Sequence, residues 1–140
     1  MTCNYSTIVI DSDKIKKTYK NTFFGRQRFY KELFFYFRIH KLKLDYVPRL
    51  IKFNKDNLWF ELSNVGISLD ILLYRKKKKH LNPIIIDLHN KFKRDTLMYH
   101  NDIRYKNVCY NNVEDKYYLI DFEYCNYNFR DGNHQKILDF

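Results

Sequence analysis

The 140-residue chain contains no alanine, three glycines, two prolines and three cysteines. Without alanine, a core has to be built from large aromatics and branched aliphatics. With so little glycine and proline there is no low-complexity linker, and no internal repeat is visible. Cys3, Cys109 and Cys125 are odd in number and form no C-x-x-C, which argues against a disulfide framework or a zinc site. A reducing intracellular setting is the simpler expectation. No apolar run approaches the roughly 18 residues that span a bilayer. The first residues lack a basic stretch followed by an apolar one, so no signal peptide is expected.

Aromatics, in contrast, reach 19%, hydrophobic residues 45% and charged residues 30%, a balance that folds rather than staying disordered. Lys, Asn, Ile, Tyr and Phe dominate, as AT-rich coding produces in a parasite or a large DNA virus. A cytoplasmic setting follows, the host's if the source is viral. The net charge of +10 favours a polyanionic partner: nucleotide, nucleic acid or an anionic membrane surface. Lysine as the default polar residue of such a genome accounts for the same charge.

Along the chain, Tyr5–Ile10 and Lys14–Tyr19 flank the turn residues Asp11-Ser12-Asp13 and predict a hairpin with one exposed basic face. Between Arg26 and Leu42 apolar residues recur at Phe29, Leu33 and Phe37, with Tyr30 and Phe34 beside them, predicting a long amphipathic helix. Its aromatic run, Phe34–Phe37, reads as core. Arg49–Phe53 and Leu58–Leu62 bracket Asn54-Lys55-Asp56-Asn57 as a second hairpin. Ser68 is placed to cap a short helix over Leu69–Tyr74, before the charge run Arg75–His80. Asn82-Pro83 starts another helix that buries Ile84, Ile85, Leu88 and Phe92. Short apolar pieces follow at Leu97–Tyr99, Val108–Tyr110 and Tyr117–Ile120. This order predicts an α+β fold.

The chemistry concentrates in Tyr99-His-Asn-Asp-Ile-Arg-Tyr-Lys-Asn107 and Tyr118-Leu-Ile-Asp-Phe-Glu123. Asp102 and Asn107 share a polar loop that leaves a helix and enters a strand. Asp121 follows an apolar strand, so its carboxylate is presented at the strand end. If the Val108–Ile120 hairpin closes, two carboxylates and an amide oxygen converge, a hard-oxygen set suited to Mg²⁺ when phosphates complete the shell.

These segments resemble the catalytic loop and metal-binding segment of the protein-kinase-like superfamily, H-x-D-x-x-x-x-N followed by D-F-G. The H-N-D start, the acid after D-F, and Asp121-Phe-Glu-Tyr-x-x-Tyr-Asn128 with Asp131-Gly-Asn-His134 are most similar to choline/ethanolamine kinases and aminoglycoside phosphotransferases. The resemblance implies a reduced bilobal kinase fold in one domain, 1–140. Residues 1–63 would form a small antiparallel sheet with a long helix, and 67–140 a shortened helical lobe with a β-hairpin. It implies ATP and Mg²⁺ as cofactors and γ-phosphate transfer to a hydroxyl acceptor, a protein side chain or a small molecule. Asp102 would accept or orient that hydroxyl, Asn107 and Asp121 would hold the metal, and Arg104 would contact the γ-phosphate or an acidic substrate. His100 would be structural. Lys16 would hold the phosphates with Glu32 as its partner, Lys14, Lys17 and Lys20 being its rivals. Glu32 would point inward with Phe29, Leu33 and Tyr36. The strand and hinge around Glu61 would hold adenine through backbone groups.

Two departures stand against activity: no Gly-rich lid precedes Lys14, and little chain follows Asp121. They leave open an inactive pseudokinase or interaction module, with a protein partner covering the shortened second lobe. The third reading is a nucleic-acid binder acting through Arg75–Lys79.

Overall fold

The structure, a computed structural model, describes residues 5–76 and 82–127, and of residues 73–76 the backbone alone. The Asp131–His134 motif, the segment after it and most of the Arg75–His80 charge run lie outside the described residues. The chain forms two compact units, Met1–Leu44 with Pro48–Asn64, and Asp45–Val47 with Val65–Phe140.

The first unit is a four-stranded antiparallel sheet with one long helix. Strands β1 (Ser6–Ile10) and β2 (Lys14–Tyr19) form the expected hairpin, closed by Asp11 N–H donating to the Lys14 carbonyl at 2.8 Å. Strands β3 (Leu50–Asn54) and β4 (Trp59–Ser63) form the second, where Asn54 Oδ1 accepts from Asn57 N–H at 2.9 Å. Pairing of β2 with β4 gives the order β1-β2-β4-β3. Side chains alternate across a strand. In β2, Lys17 and Tyr19 therefore share the buried face, while Lys16 lies on the other with its ammonium 4.2 Å from the centre of the Trp59 ring.

Helix α1 (Phe23–Lys41) starts ahead of the expected position because the Thr22 hydroxyl caps it, accepting from Gly25 N–H at 3.1 Å. It buries Phe29, Glu32, Leu33, Phe35, Tyr36 and Ile39. Phe60 is the hub of this core, with the rings of Tyr19, Phe29 and Tyr36 at 6.2, 6.0 and 5.6 Å. The expected apolar face is thus corrected: Tyr30, Phe34 and Phe37 are exposed. At about 100° per residue, position 36 returns to within roughly 20° of Phe29, whereas position 37 lies roughly 80° away.

The second unit carries a three-stranded sheet, β5 (Ile67–Ser68), β6 (Val108–Asn111) and β7 (Lys116–Leu119), in that order. Its helices are α2 (Leu69–Lys76) and α3 (Asn82–Thr96), with a 3₁₀ turn over Tyr105–Asn107. Gly66 enters β5 at φ 118°, where a Cβ would stand 2.1 Å from the Tyr110 carbonyl oxygen, so the tight approach to β6 requires glycine. Ser68 directly precedes α2, ends β5 and donates to Asp70 Oδ1 at 2.6 Å, which itself accepts from Ile71 N–H. Leu97–Tyr99 forms no strand; Tyr99 makes an isolated bridge to Asn126. Residues 45–47 run beside β7, with Leu119 N–H donating to the Tyr46 carbonyl at 2.8 Å. Helix α3 buries Ile85, Leu88 and Phe92, and Phe92 lies 5.6 Å from Phe122. Cys109 and Cys125 are buried, and burial pushes the Cys109 thiol up to about 12, which makes it an inert packing group.

Candidate active site

In the second unit the site is built on the segment leaving α3. Thr96 closes the helix, its hydroxyl donating to the Phe92 carbonyl at 2.6 Å and accepting from Met98 N–H at 3.0 Å. Asn101 then takes φ 67° and Asp121 φ 65°, left-handed backbone that Asn and Asp tolerate better than other side chains do.

His100 joins the two segments. Its Nδ1 accepts from Asp102 N–H at 3.1 Å, so Nε2 carries the proton and donates to the Ile120 carbonyl at 2.8 Å. The ring is fully buried against Phe92 and Phe122. Burial pushes its pKa below the usual histidine range, against the upward pull of the Ile120 carbonyl and the Asp121 and Asp102 carboxylates. The unfolded chain therefore takes up a proton near pH 6.5 that the folded site resists, and stability is lost as pH falls below that value. Melting curves from pH 7.5 to 5.5 are expected to show a steeper loss for wild type than for His100→Gln, by up to about 1.4 kcal/mol per pH unit. Equal slopes would show that His100 does not carry this dependence.

Asp102 is almost wholly buried and held from three sides. Besides the backbone bond to His100, Asn107 Nδ2 donates to its carbonyl at 2.8 Å and to Oδ2 at 3.0 Å. Arg104 Nε approaches Oδ1 at 3.1 Å as a charge contact without hydrogen-bond alignment, and Nη2 donates to Oδ2 at 3.4 Å. Because the Asn107 amide spends its N–H groups on Asp102, its Oδ1 remains as the acceptor on the other side of the group. Ile120 N–H donates to the Asn107 carbonyl at 3.0 Å, and its own carbonyl takes the His100 proton. Both polar groups of Ile120 thus pin the strand end to Asn107 and His100, and Asp121 is the next residue. Asp102, Asn107 and Asp121 lie in one unit, on two segments joined through Ile120.

Two carboxylates and an amide oxygen are hard donors, and Mg²⁺ is bound by such groups when substrate phosphates fill the rest of its shell. No group of three His, Cys, Asp or Glu side chains poised on one metal occurs among the described residues. The donor set fits a phosphate-completed Mg²⁺.

In the first unit, Glu32 takes Lys17, not Lys16, as its partner. Lys17 Nζ lies 2.9 Å from Glu32 Oε1, with both side chains buried. The Tyr19 hydroxyl donates to the same oxygen at 2.6 Å. Lys16 is on the opposite face of β2 because register fixes alternate residues to alternate faces. The signal was available, since Ile15 and Tyr19 flank Lys17 at a spacing of two and mark its face as the inner one. Tyr19 itself was missed for the same reason. The Glu61 expectation is also corrected. Glu61 lies inside β4, which is paired on both edges, so its backbone groups serve the ladder. Its carboxylate meets Lys14 at 3.6 Å on the outer face.

The structure of WbdD co-crystallised with a kinase inhibitor superposes with a TM-score of 0.63 at 14% identity, over 96% of this chain and 34% of that one. A structure of the bifunctional kinase-methyltransferase WbdD gives 0.62 at 15%, over 89% and 30%. The chain thus spans about a third of the length of these neighbours, and the likeness speaks for the fold, an α+β protein-kinase-like one. No curated protein matches it significantly. The sequence profile of the choline/ethanolamine kinases matches residues 17–134, from Lys17 through both motif segments, and the chain belongs to that family.

Proposed function

We propose that the chain is an ATP- and Mg²⁺-dependent phosphotransferase that moves the γ-phosphate of ATP to a hydroxyl acceptor. The observation that carries this reading is the lock on Asp102, a buried carboxylate fixed by His100, Asn107 and Arg104 where a base must be positioned. In the transfer, a bond forms between the acceptor oxygen and Pγ, the bond from Pγ to the bridging oxygen of ADP breaks, and the hydroxyl proton goes to Asp102. Arg104 neutralises charge on the transferred group or on Asp102. Lys17, held by Glu32, binds the α- and β-phosphates. Asn107 Oδ1 and Asp121 would hold Mg²⁺, which supplies neutralisation of the phosphate oxygens when bound. The family's name makes choline and ethanolamine the first acceptors to try.

A pseudokinase is the second reading. Two observations favour it: Arg104 already neutralises Asp102, and the β1–β2 turn has Asp11-Ser12-Asp13 where a phosphate lid needs glycine. The test is transfer from radiolabelled ATP to a panel of alcohols, with Asp102→Ala and Asp102→Asn beside wild type. Wild-type turnover that falls by roughly 10²–10⁴ in both variants supports the enzyme. ATP binding with no transfer to any acceptor would leave the pseudokinase.

A further inference from the structure

The outer face of α1 exposes a row of large aromatic side chains. Phe23, Tyr30, Phe34 and Phe37 are 70, 44, 56 and 39% exposed. At 100° per residue they fall within an arc of roughly 60°, a single stripe about 21 Å long. Phe53 of β3 extends it, its ring 5.3 Å from Phe37. Arg26, Arg38 and Lys41 lie along the same arc and its margins, all exposed. The helix has one carboxylate, Glu32, and that is buried against Lys17. The outer face therefore presents aromatic rings and cations with no acidic group between them.

We propose that this face docks the protein onto an anionic membrane surface, the helix lying in the headgroup plane with its aromatic rings inserted and its cations on lipid phosphates and carboxylates. An interfacial helix has this composition: large apolar rings in one stripe, with Lys and Arg beside it. Phe rings gain by leaving water, and basic stems reach back to the charged layer. No helix of the described residues is long and apolar enough to cross a membrane. A second copy fits less well. Stripe-to-stripe packing would set Arg26, Arg38 and Lys41 of two chains against one another, like charge against like. A peptide ligand calls for a groove, and an outward helix ridge offers a planar surface more contact than it offers an extended chain.

The test is co-sedimentation with vesicles of phosphatidylcholine alone and with about 30 mol% phosphatidylserine. Wild type is expected to pellet with the anionic vesicles, weakly with neutral ones, and less as salt rises. Phe34→Ser/Phe37→Ser should lower the partition coefficient at least roughly tenfold, since each inserted ring contributes through its buried area. Arg38→Gln/Lys41→Gln should lower it by a similar factor, at roughly fivefold per cation. Lys93→Gln/Arg94→Gln removes two charges from the last turn of α3 and should leave binding unchanged. Far-UV circular dichroism and melting show whether each variant is folded, and the Gln pair carries the test alone if the Ser pair is not. The proposal is overturned if wild type does not pellet, or if the α3 pair loses as much as the α1 pair. It is equally overturned if the Phe pair abolishes a concentration-dependent dimer, or if a labelled poly-glutamate peptide binds α1 more tightly than vesicles do.

Discussion

With Mg²⁺ present, ATP at about a hundred times its Kd should raise the melting temperature of the wild-type protein by about 10 °C, and Asp121→Asn should lose that gain. The size follows from linkage: saturation to that degree adds about 2.7 kcal/mol, and a domain near this length gains roughly 4 °C per kcal/mol. The substitution is chosen to isolate charge. Asparagine has nearly the same shape as aspartate and tolerates the left-handed backbone, φ 65°, that position 121 requires. Fold and strand end should therefore survive while one anionic donor is removed from the Mg²⁺ set. Omitting Mg²⁺ should abolish the shift in wild type, since the phosphates and the carboxylate then meet without a cation between them. A shift of the same size in Asp121→Asn, or one indifferent to Mg²⁺, would place the nucleotide elsewhere.

The parts of this site that were legible in the sequence are those where local chemistry determines position. The H-N-D and D-F-E segments sit at a helix exit and a strand end, and Ile120 joins them. Both hairpins of the first unit were visible because turn residues separate runs of period two. The errors came where local pattern was read too loosely or tertiary partners decided. Lys16 and Lys17 are adjacent in a lysine-rich strand, where Ile15 and Tyr19 already mark the inner face, and pairing of Lys17 with Phe60 turns it inward. In α1, aromatics occur almost all round, so Phe37 and Tyr36 both continued the pattern. The decision belonged to tertiary partners, Tyr36 to the Phe60 ring and Glu32 to Lys17. The role of His100 as a bridge between two segments was beyond reach for a different reason. It depends on Ile120 being pinned beside Asn107, a contact between residues distant in sequence.

Glu32→Ala is expected to cost about 3–5 kcal/mol, enough to bring the first unit close to unfolding, because it strands the Lys17 ammonium in apolar surroundings and takes an acceptor from the Tyr19 hydroxyl. Desolvation, not lost attraction, dominates this figure: a buried cation that loses its carboxylate has given up hydration for much less in return. The double variant Lys17→Met/Glu32→Leu tests that account. Removing both charges leaves apolar groups of similar volume beside Phe29 and Phe60, so most of the stability should return in urea unfolding curves. Nucleotide binding should not return, because methionine cannot hold a phosphate. The pair would then be maintained for function at little or no net benefit to the fold. If the double variant is as unstable as Glu32→Ala, packing around the two side chains outweighs their charge, and the case for Lys17 and Glu32 as a functional pair rests on ATP binding alone.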